Sequence, residues 1–178
     1  MPFRPAGLRP FQLAVFLWSV GGAVFILLDA IRRLFPMFVG ALGHEMHAVH
    51  WLFLVVWVAF MAFVEGYKGF HQRFSPRLAV RADWLARHPR PWLVALAPLF
   101  VMGMVHANRR RLVSSWLLFV GIVALALTIR QLPQPWRGIV DAGVVLGLTL
   151  GTASTVWFAI RTLAGRPPAI RADLPTRS

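Results

Sequence analysis

PWLVALAPLFVMGMVHAN, residues 91 to 108, is the stretch on which the fold turns. It has no Lys, Arg, Asp or Glu, and its length is close to the roughly eighteen to twenty residues that let a helix cross a hydrocarbon core of about 30 Å. It also has Pro98 near its centre and Gly103 beyond it. Proline removes a helical hydrogen bond and clashes with the preceding turn, so the run predicts a broken element. If it crosses a membrane as one helix, the chain has five spans. If it dips in and returns, or lies buried against its neighbours, the chain has four.

Four further runs lack charged residues: Pro10 to Leu28, Met46 to Val64, Leu112 to Ile129 and Ala142 to Ile160. A bilayer offers no water to satisfy free backbone groups, so such runs must be helical or shielded by protein. Composition agrees, with 58% hydrophobic and 14% charged residues, against roughly 45–50% and about 25% in soluble domains. The first run follows the basic segment MPFRPAGLRP, as in a secretory signal, but it is too long for one and no small-x-small cleavage site follows. It is expected to be an uncleaved first span. With 178 residues there is room for one helical bundle and little else.

The formal net charge of +13 invites a nucleic-acid reading. The basic residues are spread over the ends of the apolar runs, however, where the positive-inside rule expects them, so no nucleic-acid partner is expected. With five spans, ten Lys and Arg fall inside and nine outside, which orients nothing. With four, fifteen fall inside (Arg4, Arg9, the nine from Lys68 to Arg111, Arg161, Arg166, Arg171 and Arg177) and only Arg32, Arg33, Arg130 and Arg137 outside. The expectation is therefore an all-α four-span bundle in a bacterial-type inner membrane, with both termini cytoplasmic. Its spans are about 10–31, 49–70, 112–131 and 138–162, with a re-entrant or interfacial segment at 91–107 and a basic, proline-containing tail at 166–178.

Between spans two and three, SPRLAVRADWLARHP predicts a surface helix over 76–88. Leu78, Ala82, Leu85 and Ala86 share one face, and Arg77, Arg81 and His88 share the other. Such a helix suits the anionic cytoplasmic leaflet. Arg109, Arg110 and Arg111 suit a lipid phosphate as well as a topogenic role. In the last span Gly143, Gly147 and Gly151 recur every four residues and Thr155 continues the row. Small residues in register let membrane helices approach closely. The partner of that row is another span, a second copy or a different subunit, so a homo-oligomer or a subunit of a membrane complex is expected.

In this topology the ionisable groups sort into two layers. The outer layer holds Asp29, Asp141 and the residues of GHEMHAVHW, namely His44, Glu45, His47 and His50. Imidazole and carboxylate together suit a divalent transition metal: zinc, copper, iron or nickel. The spacing H-E-x-H-x-x-H is not the H-E-x-x-H of metalloproteases. Boundary roles also explain these residues: His50 beside Trp51 as an interfacial anchor, Asp29 paired with Arg33, and Asp141 paired with Arg137 or capping its helix. The inner group holds Glu65, Tyr67, Lys68, His71 and His106. Glu65 and Lys68, three apart, can neutralise each other, and Tyr67 suits an interfacial belt. A b-type haem needs two histidines. Only His71 and His106 are available, which argues against haem.

Cysteine is absent, which excludes disulfides, thiolate metal sites and cysteine nucleophiles. Ser114 and Ser115 lack a G-x-S-x-G elbow, and no phosphate-binding glycine loop is present. The expected function is a non-enzymatic subunit or small transport module whose outer layer binds a metal ion or relays protons. The alternative is a membrane-embedded metal-dependent enzyme acting on a lipid or other membrane-soluble substrate, with the catalytic residues undetermined.

Overall fold

The computed structural model describes residues 8–174. Arg4, Arg177 and the last four residues of the expected tail lie outside that range. Among the described residues the chain is all helical, and four helices are long and apolar enough to cross a membrane. They are α1 (Pro10–Leu42), α2 (Ala48–Arg87), α5 (Arg109–Ile129) and α6 (Trp136–Leu163). Residues 91–108 do not form a fifth. They make two five-residue helices, α3 (Pro91–Ala95) and α4 (Ala97–Val101), separated at Leu96. Pro98 sits in the first turn of α4, where its missing N–H is no loss. Gly103, with φ 81°, and His106, with φ 49°, then turn the chain back toward α5 through left-handed backbone.

Two expected boundaries move. α1 runs 33 residues to Leu42 and passes through Arg32, Arg33 and Pro36 instead of stopping near residue 31. Asp29 neutralises much of the basic pair, and LFPMFVGAL beyond it is apolar enough to continue the helix. α2 runs 40 residues, so the helix expected on the surface at 76–88 is its direct continuation. The middle of α2, Ala62–Phe74, is π-helical, and Ser75 N–H donates to the carbonyl of Phe70, five residues back. The wider turn takes Pro76 without the clash that an α-helical carbonyl four residues back would cause.

The main apolar core lies at one end of the molecule. Phe16, Val20 and Ala23 of α1 meet Leu78, Ala82 and Leu85 of α2, the broken segment contributes Leu93, Ala97 and Phe100, and α6 adds Ala159. Phe16 and Phe100 are fully buried. Truncating either to alanine removes about 3–5 kcal/mol at well-packed sites. The segment 91–108 thus buries Leu93, Ala97, Phe100 and Val101 in this cap, while Trp92, Leu96 and Leu99 stay exposed. Away from the cap α6 is the central helix, with α1 and α2 packed against it. α5 stands apart, with nearly every large apolar residue exposed, as a helix in lipid would be.

Candidate functional site

The outer histidines cap helices. The ring of His44 contacts the carbonyl of Gly40 at 2.9 Å through Nδ1, at the end of α1. His47 N–H donates to His50 Nδ1 at 3.1 Å, closing the first turn of α2, and the two rings stack at 5.6 Å. His50 is buried with its ring edge-on to Trp136, 4.8 Å away. An imidazole that accepts at Nδ1 carries its proton on Nε2, so in this tautomer, assigned from its partner, His50 has no lone pair free for a metal. Glu45 is exposed.

The aspartates do not join them. Asp29 lies thirteen residues before Leu42, about 20 Å along the helix. Its two oxygens accept from Arg32 at 3.1 Å and Arg33 at 2.6 Å. Asp141 is buried near the start of α6, with Arg137 Nε 3.9 Å away as an i,i+4 ion pair. Among the described residues no three His, Asp or Glu side chains are grouped so as to hold a metal ion. The six-residue outer layer is therefore not assembled: α1 extends far past Asp29, and the imidazoles are engaged by backbone.

The inner group is partly brought together, along the seam between α2 and α6. Trp57 Nε1–H donates to the carbonyl of Val140 at 3.1 Å. Gly143 faces the Trp57 ring, Gly147 faces Glu65 and Gly151 faces the Phe70 ring, each so closely that a Cβ would collide. His71 Nδ1 lies 3.0 Å from Ser154 Oγ, and Ser75 Oγ lies 3.0 Å from Thr155 Oγ1. The glycine row is thus buried against α2 of the same chain. Association with a second copy would have to use another face.

Glu65 is the anomaly on this seam. A Cβ on Gly147 would lie 2.8 Å from Glu65 Oε2, so the glycine makes the space that the carboxyl fills. Oε2 is buried and has no hydrogen-bond partner among the described residues. Lys68 does not neutralise it, because its ammonium sits over the Phe63 ring, 4.7 Å from the centroid. An i,i+3 spacing allows the ion pair, but the wider π-helical turn changes the angular offset on which that rule rests. Leaving a carboxyl unpaired away from water costs several kcal/mol if it is charged.

Tyr67 stacks on His71 at 5.8 Å, while His106 packs against Trp92 and Phe100 in the cap. His71 thus belongs to the seam and His106 to the cap. Burial, with Arg90 and Arg81 nearby, holds the His106 imidazole below its usual value. Arg109 and Arg110 are exposed at the start of α5, and Arg111 is half-buried beside Gly103.

The most enclosed charged residue is one that helical phase placed on the solvent face. Arg81 is 1% exposed. Its guanidinium donates to the carbonyls of Phe100 and Ala172 at 2.7 Å each, of Val105 at 3.1 Å and of His106 at 3.2 Å. It also stacks on the Phe100 ring at 4.1 Å. Arg81 therefore ties α2, the broken segment and the start of the tail together, and Arg77 pairs with Asp173 beside it at 3.7 Å. Its position among Leu78, Ala82 and Leu85 was the available signal, because those neighbours bury both flanks of the helix. No protein-family model matches this chain, and comparison with curated proteins and with solved structures returns no match.

Proposed function

We propose that this chain is a small, non-enzymatic membrane module, a subunit or a transporter, in which Glu65 takes up and releases a proton. The observation that carries the reading is the Glu65 Oε2 atom, buried without a partner opposite Gly147. Ionisable groups inside membrane helices are costly and therefore functional candidates by default. One further ionisable group lines the same seam: His71, six residues from Glu65 on α2, meets Ser154 of α6. Proton handling thus moves from the expected outer layer to the helix seam.

The orientation proposed for this module puts both termini, the cap and the exposed Arg109 and Arg110 on the cytoplasmic side, against anionic headgroups. The arginine bias supports it. The test is proton flux into vesicles carrying the purified chain under an imposed gradient. Flux that is abolished in Glu65→Gln supports the reading. Vesicles as tight as protein-free ones, or a Glu65→Gln variant that conducts like the parent, sink it.

A further inference from the structure

Beside Glu65, on the outside of the same seam, the two helices leave an open cleft of about 330 Å³. Small residues make the hollow: Ala62 and Gly66 on α2, and Ala153 on α6. Tyr67, His71 and Trp157 line it. Tyr67 is 48% and Trp157 55% exposed, so the cleft opens sideways, in the direction lipid would occupy. Its floor is held closed at Gly66, where a Cβ would lie 2.8 Å from Leu150.

The polar groups in the cleft are specific in kind. Ser154 Oγ lies 3.0 Å from His71 Nδ1 and Ser154 is buried. If the hydroxyl donates, as in the tautomer assigned here, the imidazole keeps its proton on Nε2 and presents it as a donor. The Tyr67 hydroxyl is the second donor. Among the described residues neither the hydroxyl nor Nε2 has a hydrogen-bond partner. A lipid acyl chain in the cleft would leave both donors unpaired, which is unfavourable in hydrocarbon. A flat ring bearing carbonyl oxygens would satisfy them and stack on the aromatic walls. The volume falls at the lower end of the range for small-molecule sites, enough for one substituted ring with its tail left in the bilayer.

We propose that this cleft binds the oxidised ring of a membrane-soluble quinone, with Tyr67 and His71 donating to its carbonyl oxygens. Ser154 is a positioning residue, setting the His71 tautomer. This goes beyond the proton reading and does not rest on it, because Glu65 lines the seam and not the cleft.

The test is equilibrium binding of a decyl-substituted benzoquinone to the full chain in detergent, with decylbenzene as the competitor that lacks carbonyl oxygens. Saturable binding is expected that decylbenzene does not displace. It should weaken roughly tenfold in Tyr67→Phe and in His71→Ala, about the worth of one hydrogen bond each. Ala153→Phe should abolish it, since a phenyl on the exposed Ala153 fills the hollow. Glu65→Gln should bind as the parent does, so this result stands apart from the flux experiment. Absence of saturable binding, equal displacement by decylbenzene, or parental affinity in both Tyr67→Phe and Ala153→Phe overturns the proposal.

Discussion

Arg81 and Glu65 sit on one helix, sixteen residues apart, and both carry ionisable groups out of water. Arg81 is saturated: its guanidinium reaches four carbonyls within 3.2 Å and lies on an aromatic ring. Glu65 has one buried oxygen, Oε2, with no hydrogen-bond partner among the described residues. The same chemical expense has opposite outcomes: the first group closes a structure, and the second is left with an unpartnered oxygen on the seam. A buried charge with every donor used is evidence of architecture. One left unpaired within a membrane-length helix is where function is to be sought.

The sharpest way to break that comparison is to remove each charge and read the sign of the stability change. Arg81→Leu leaves four carbonyls facing a void or an alkyl chain, and it should cost roughly 3–5 kcal/mol, as removing one side of a satisfied buried charge does. Thermal unfolding in detergent should show this, together with proteolysis of the tail, which loses its Ala172 anchor. Glu65→Leu should go the other way. It removes an unpaired polar group from an apolar seam, and a gain of about 1–3 kcal/mol is expected. A loss of stability in Glu65→Leu would mean that the carboxyl has a structural partner after all. Equal losses in both variants would end the distinction.

How far the sequence shows these features depends on the distance over which each is determined. Charge-free length identifies the four long helices, each long and apolar enough to cross a bilayer. Pro98 and Gly103 mark 91–108 as broken for equally local reasons. The outer limit of α1 is less legible: Arg32 and Arg33 look like a boundary until Asp29 is seen accepting from both. Arg81 was hidden because hydropathy counts its charge and cannot see the backbone carbonyls that satisfy it. The seam was hidden for another reason. The glycine row shows that something packs closely there, but only the register of α2 on α6 puts Glu65 against Gly147 and His71 against Ser154. The outer layer is not brought together for the same kind of reason, since that needed Asp29 at the end of a helix that continues for another thirteen residues.

Arg77 and Asp173 test the cap at lower energy. Their ion pair, at 3.7 Å with both side chains about one-third exposed, should contribute no more than about 1 kcal/mol. Asp173→Asn is therefore expected to shift the unfolding midpoint far less than Arg81→Leu, and the shift should shrink in high salt. An effect as large as that of Arg81→Leu would move the hub of the cap from the guanidinium to the tail carboxylate.

The smallest effect expected is a pH dependence. His106 lies in the cap, where burial, Arg90 and Arg81 disfavour its charged form and hold its folded value below the ordinary one. Between the ordinary histidine value, about 6.5, and the lower folded value, the unfolded chain binds a proton that the folded chain does not. Stability conferred by the neutral ring is thus present above the ordinary value and falls as the medium is acidified through that window. His106→Asn removes the titration while keeping a residue that accepts the left-handed backbone at φ 49°. Its unfolding midpoint should accordingly change less on acidification than the parent's, with little difference between the two at neutral pH. If the parent and the variant lose stability in parallel, the acid response of the cap lies elsewhere, and the Arg81 hub is then to be compared with Glu65 without any contribution from the histidine beside it.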